Sequence, residues 1–475
     1  VGIDAQYRAV VARPASLRAL LELGLVITVP LLLLSVLYFH WGAGLQRLAA
    51  LCMLFAFVLW SSARRGYLAS LWEPGRRRQL LAGLALLLFG MNVRSFVRDI
   101  ARGGECLTDM GRPSICAGEW LREARNPWAE CLRRPRGRIH ITDTLSWCLA
   151  VGGCIDRKAG GPYQDWTHHG PGFDFMDGFK YGPLAALAYM PFVHTLRERG
   201  VFGVNFAFWL AQCALLWWLA RAAYPQVRSA PWRAWLIFLL PIAIPNGLLF
   251  PKLKIHALGG EFLLAPPEHH TFVLELTERC SNDIIPVVLG LGAVLLAARK
   301  RSFAAGVLLG LSLGAKQLPG LFLCFLLPRL EGVQPRRLLL AVLGTALLVY
   351  LPFFAWAPRE MFANLVLFAM LRPTNSSSIR GYIPAEYEGW VSLAQLAVVV
   401  AVLWHFYRHA PRDLPALVRS LALLSIGFVA LNKVVHGNYL VWLEPWLALL
   451  LAGVPYAALP AVTRPATTDL RPAED

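Results

Sequence analysis

The chain has 475 residues, 57% of them hydrophobic and 16% charged, with a mean hydropathy of +0.50 and a net charge of +17. A soluble domain carries about a quarter charged residues, whereas this chain repeats apolar runs long enough to cross about 30 Å of hydrocarbon. That excludes an ordinary soluble enzyme. It also argues against nucleic acid as a partner, because Lys and Arg gather at the ends of apolar runs, where membrane topology and anionic headgroups place them.

Taken in order, the apolar runs predict spans near 18–39, 44–63, 80–98, 201–222, 234–250, 284–298, 303–315, 317–329, 337–356, 390–407, 414–432 and 438–456. The expectation is an all-α polytopic membrane protein of about twelve transmembrane helices. No cleavable signal peptide is evident, since the first run follows Arg8, Arg13 and Arg18 and continues as a full span. Arg64, Arg65 and Arg76 to Arg78 follow the second span. Arg221, Arg228 and Arg233 follow the fourth, and Arg299, Lys300 and Arg301 a later one. Arg329 with Arg336 and Arg337, and Arg408 with Arg412, complete the set. Placing these clusters in the cytoplasm puts both termini inside, and puts 99–200, 251–283, 357–389 and 433–437 outside. The apolar stretch 181–192 is too short to span, and the threading lays it on the membrane surface. Three parts result: a helix pair in 1–79, a core in 80–456 that includes the outer loop 99–200, and a cytoplasmic tail in 457–475.

The first outer loop is the longest polar stretch. It holds five of the nine cysteines, at 106, 116, 131, 148 and 154, and Cys280 lies in the second outer segment. Six outer cysteines allow three bridges, with 15 possible connectivities, in an oxidising compartment such as a bacterial periplasm. Their spacing contains no C-x-x-C pair, so no zinc site is expected. Cys52, Cys213 and Cys324 fall in spans as small apolar residues. His168 and His169, and His269 and His270, lack metal-ligand spacing. Asn375 opens an N-S-S sequon that carries no meaning in a bacterial chain. Neither a P-loop nor a G-x-G-x-x-G cradle is present, so a nucleotide-sugar donor on a Rossmann domain is not expected.

Four segments carry a resemblance. Asp109 precedes a short helical stretch closed by Asn126, Pro127 and Trp128. Tyr181, Gly182, Pro183 and Leu184 are followed by Pro191. Lys316 and Pro319 end a small-residue-rich run, and His436, Tyr439 and Trp442 lie near the last span. In order and topology, over about residues 80–456, these resemble the polytopic GT-C glycosyltransferases. The nearest group is the bacterial family 87 of polyprenol-phosphate-dependent mannosyltransferases. Trp128 stands where that pattern has Tyr, and Gly182 where it has Pro.

The resemblance implies transfer of mannose or a similar sugar from a polyprenyl phosphate to an outer-face glycan or glycolipid. The implied reaction is inverting, needs no cofactor and runs on the periplasmic side of a bacterial inner membrane. An acceptor hydroxyl needs a carboxylate to take its proton, and a departing phosphate needs cations. The resemblance assigns the base to Asp109, with Asp143, Asp174 and Asp177 as competitors. Lys316, Lys433, His436, Arg372 and Arg380 are the cations expected at the donor phosphate, and Trp128, Tyr181 and Tyr439 the groups expected at substrate. A transporter or flippase, or an oligosaccharide ligase or polymerase, is the rival reading. No internal repeat favours the transporter.

Overall fold

The computed structural model describes residues 75–102, 111–128, 179, 181–243, 253–257, 260–264, 282–367, 380, 383–432 and 440–453. The first two expected spans, the bulk of the first outer loop and the tail lie outside them. So do Asp109, Asp143, Asp174, Asp177, Arg372, Lys433, His436 and Tyr439, the histidine pairs, the sequon, and Cys52, Cys106, Cys131, Cys148, Cys154 and Cys280.

In chain order the helices are α1 (Gly75–Arg102), α2 (Gly111–Arg122), α3 (Pro183–Leu196), α4 (Glu198–Ala223) and α5 (Ala230–Ala243). After a hairpin come α6 (Ile284–Ala298), α7 (Ser302–Ala315), α8 (Gln317–Leu326), α9 (Pro335–Trp356) and α10 (Pro358–Phe362). The last three are α11 (Glu388–Arg408), α12 (Leu414–Ala430) and α13 (Leu440–Gly453). The hairpin pairs β1 (Leu253–Ala257) with β2 (Gly260–Leu264) antiparallel. It is a small antiparallel pair in the second outer segment of an otherwise helical chain.

Among the described residues, three helices are long and apolar enough to cross a membrane: Arg199–Ala223, Pro335–Trp356 and Glu388–Arg408. The other apolar helices are shorter; α6, at 15 residues, is about 22 Å long. Polar turns rather than Gly or Pro cut them. Arg299 and Lys300 end α6, and Lys316 separates α7 from α8.

Glycines set how closely the core helices approach. Gly306, Gly310 and Gly314 of α7 lie against Leu338 and Ala341, Val342 and Thr345, and Val349 of α9. The pairing advances in the same direction on both helices, so they run parallel along a small-residue ridge, the arrangement that permits close packing in a membrane. α6 runs antiparallel to α7: Gly292 faces Leu308, and Ser312 Oγ donates to Pro286 O at 2.8 Å. Gly290 of α6 faces both Ser312 and Leu323, and Gly320 packs on Leu313. α8 therefore folds back beside α7, with Lys316 at the tip of the reversal. At the opposite end of the bundle, Gly453 of α13 packs on Tyr224, which caps α4.

α9 and α11 leave broad apolar faces outward, with Leu340, Leu343, Leu347, Leu348 and Leu351 on one and Trp390, Leu393, Leu396, Val400 and Trp404 on the other exposed. Such faces suit lipid and would be untenable in water.

Candidate functional site

The site forms at the reversal between α7 and α8. Lys316 has extended backbone there (φ −158°, ψ 133°), which ends one helix and starts the next. Its ammonium is bonded to Asp283, the fully buried residue that precedes α6. Trp442, two residues into α13, donates its indole N–H to the same Asp283 oxygen at 3.0 Å. The Lys316 Nζ lies 5.0 Å from the Trp442 ring centroid and 5.3 Å from that of Tyr181. A cation between two aromatic faces gains from both quadrupoles, more so when desolvated. One carboxylate, one ammonium and two aromatic rings thus meet from four chain segments.

Tyr181 is placed by its neighbour. The Gly182 N–H donates to Ala315 O at 3.0 Å, and a Cβ on Gly182 would stand 2.1 Å from Gly314 O. Only a residue without a side chain brings the 181–182 backbone onto the end of α7, and this sets Tyr181 over Lys316. Tyr350 of α9 fastens the same turn, donating to Leu313 O at 2.8 Å.

Behind Tyr181 lies an aromatic cluster. Trp128 is buried; its ring packs edge-on to Phe179 and Phe353, and Phe179 packs edge-on to Tyr181. The Trp128 N–H donates to Asn126 Oδ1 at 2.9 Å, and Asn364 Nδ2 donates to Trp128 O at 3.2 Å. Phe179 N–H donates to Pro127 O at 3.1 Å, which holds Phe179 beside Trp128. Trp128 therefore supports Tyr181 from behind.

Arg380 is 5% exposed. Its Nε donates to Leu431 O at 2.9 Å, one terminal nitrogen to Ser392 Oγ at 2.6 Å and the other to Gln395 Oε1 at 3.0 Å. It braces the starts of α11 and the end of α12, two residues before the segment that carries Lys433 and His436. On the outer helices, buried Glu119 of α2 meets Arg122 at 3.1 Å and His194 Nδ1 of α3 at 3.0 Å. Ser114 of α2 accepts from Asn282, next to Asp283, at 3.4 Å, which ties α2 to the site.

An apolar cleft opens beside the ion pair. It runs between α6, α8, α12 and α13, lined by Pro286, Val287, Gly290, Phe322, Phe428, Trp442 and neighbouring residues. Trp442 faces both the cleft and Asp283. Among the described residues no group of three His, Cys, Asp or Glu side chains could hold a metal ion. Cys116 is disulfide-bonded, whereas the buried Cys213 and the half-buried Cys324 are free.

Of the expected site residues, the structure brings Lys316 and Tyr181 together, with Trp128 one layer behind and Arg380 at the neighbouring helix ends. Asp283 was not among the expected residues. Its signal was present: a carboxylate immediately before a long apolar run, where an ionisable group at membrane depth marks function by default.

Lipid-facing helices around a charged, aromatic-walled cluster define a membrane protein with a candidate polar site at one end of its bundle. Residues 272–432 match the family model of glycosyltransferase family 87. This stretch, about a third of the chain, holds Asp283, Lys316 and Arg380, and the match supports a membrane glycosyltransferase. No curated protein matches the chain.

Proposed function

We propose that the chain transfers a sugar, mannose or a similar hexose or pentose, from a polyprenyl phosphate to a glycan or glycolipid, as a GT-C-type enzyme on the periplasmic side of a bacterial inner membrane. The observation that carries this is the Asp283–Lys316 pair at the tip of a helix reversal, under Tyr181 and Trp442 and beside an apolar cleft. A charged pocket continuous with a greasy one suits a donor that is phosphate at one end and isoprenoid at the other.

Lys316 faces the donor phosphate, and Asp283 with the Trp442 N–H fixes where the ammonium stands. Tyr181 and Trp442 offer ring faces to the sugar. The acceptor hydroxyl attacks the anomeric carbon from the side opposite the phosphate. As the new C–O bond forms, the bond to the phosphate oxygen breaks and polyprenyl phosphate leaves with the electron pair. The hydroxyl proton passes to a carboxylate, for which Asp109 is the proposed base. Lys433, His436 and Arg372 join Lys316 at the phosphate, and Tyr439 joins the substrate groups. Arg380 contributes by holding Leu431 at the entrance to the 433–439 segment. The free span cysteines and the bonded Cys116 support an oxidising compartment at the site's end of the bundle.

The test is transfer from radiolabelled polyprenyl-phosphate sugars by the purified full chain. Wild type should give an inverted product, and Asp109→Asn should abolish transfer without loss of the folded protein. Transfer from nucleotide sugars but from no polyprenyl phosphate would overturn the reading.

A further inference from the structure

At the opposite end of α6 lies a second charged cluster of a different kind. Arg299 follows the last turn of α6, and its guanidinium carbon is 5.7 Å from the Trp218 ring centroid. Arg221 of α4 approaches the same ring at 6.0 Å. Both arginines are exposed, and Trp218 is 46% exposed. Among the described residues no carboxylate pairs with either guanidinium. The sequence supplies none nearby, since 221–233 and 296–303 contain no Asp or Glu while Arg228, Lys300 and Arg301 add positive charge. Two like charges gathered around one ring repel each other unless an anion joins them.

The surface leading to the cluster is apolar. Ala207, Leu210, Ala214, Trp218 and Arg221 are exposed at steps of three or four residues, so they form one stripe down α4 that ends at the two arginines. α4 is long and apolar enough to span a membrane, and exposed apolar side chains on such a helix face acyl chains. The order along the stripe is chain-facing residues, then an indole of the kind enriched at membrane interfaces, then two guanidiniums whose forked donors match a phosphate.

We propose that this is a binding site for an anionic phospholipid in the leaflet opposite the Asp283–Lys316 site. The phosphodiester sits between Arg221 and Arg299, beside Trp218, and one acyl chain lies along the α4 stripe. Charge complementarity and the aligned apolar track select a lipid over a soluble anion. The α6 helix separates the two sites by about 22 Å, from its length, so this lipid is not the glycosyl donor.

The full chain in mild detergent is titrated with phosphatidylglycerol, phosphatidylcholine or inorganic phosphate, and bound lipid is counted by native mass spectrometry. Phosphatidylglycerol should be retained and phosphatidylcholine should not. The double variant Arg221→Gln/Arg299→Gln should lower phosphatidylglycerol retention at least fivefold, while Arg336→Gln/Arg337→Gln leaves it unchanged. Equal retention by the Arg221/Arg299 variant, equal retention of phosphatidylcholine, or displacement of the lipid by millimolar phosphate would each overturn the proposal. Because the double variant could fold poorly, wild type is also photo-crosslinked with a phosphatidylglycerol bearing a reactive group near its headgroup. Adducts within 207–221 or at 299–301 support the site, and adducts confined elsewhere refute it.

Discussion

The two ends of α6 carry charge in opposite ways. At one end Asp283 is fully buried and bonded to Lys316 and to the Trp442 indole, with the Tyr181 ring over Lys316. At the other, Arg299 and Arg221 stand exposed around Trp218 without a carboxylate partner among the described residues. The first arrangement offsets its desolvation cost internally, because each charge has its counter-charge. The ammonium is held before any substrate arrives, which is where electrostatic catalysis gains most. The second arrangement is open and depends on an anion from outside. The same helix thus ends in a preorganised polar site and in an unneutralised basic surface, and the difference lies in burial rather than in residue type.

This contrast can be broken most severely at the buried end. Lys316→Gln should lower sugar transfer by about 10²–10³-fold, the usual scale for losing one preorganised electrostatic contact, as read from initial rates with radiolabelled donor. It also leaves Asp283 buried without its counter-charge, which costs about 3–5 kcal/mol and should show as a lower melting temperature. Lys316→Gln combined with Asp283→Asn should recover much of that stability but none of the activity. Recovery of activity by the double variant would show that the pair is structural only.

Gly182→Ala comes next. A methyl group at 2.1 Å from Gly314 O cannot be accommodated, so the 181–182 backbone must move off α7. Overpacking of this sort costs about 1–3 kcal/mol. Transfer should fall by more than tenfold through displacement of Tyr181. Unchanged kinetics would mean that Tyr181 does not serve the site.

Trp442→Phe keeps a ring over Lys316 and the cleft but removes the indole N–H to Asp283. Hydrogen bonds to charged groups contribute about 1.5–3 kcal/mol, so a fall of roughly tenfold in kcat/KM is expected, smaller than for Lys316→Gln. The smallest effect belongs to Tyr350→Phe. It removes the bond donated to Leu313 O at the last turn of α7 and the one accepted from the exposed Gln317, and should cost about 1 kcal/mol of stability, with transfer reduced less than threefold. Arg221→Gln/Arg299→Gln sharpens the comparison from the other side: it should leave the Asp283–Lys316 chemistry intact while changing lipid retention.

Much of the scaffold was legible in the sequence. The run expected at 284–298 is Ile284–Ala298, and that at 303–315 is Ser302–Ala315, because basic residues and Lys316 punctuate long apolar stretches. Lys316 stood out as a cation at the end of a small-residue run. Asp283 did not stand out. Its importance comes from Lys316, 33 positions away, and from Trp442, 159 positions away, and pairings of that range leave no periodic trace. The sequence reading put Arg380 at the donor phosphate and Trp128 at substrate, and only the fold shows their contacts with the protein itself.

Composition and the placement of basic residues were enough, on their own, to determine a helical membrane protein, because hydrocarbon thickness and charge asymmetry act on local stretches of chain. Which carboxylate meets which cation was decided by packing alone. The approach of Gly182 to α7 and the reversal at Lys316 bring distant residues within hydrogen-bonding reach, and only side-chain volumes across several helices select that arrangement.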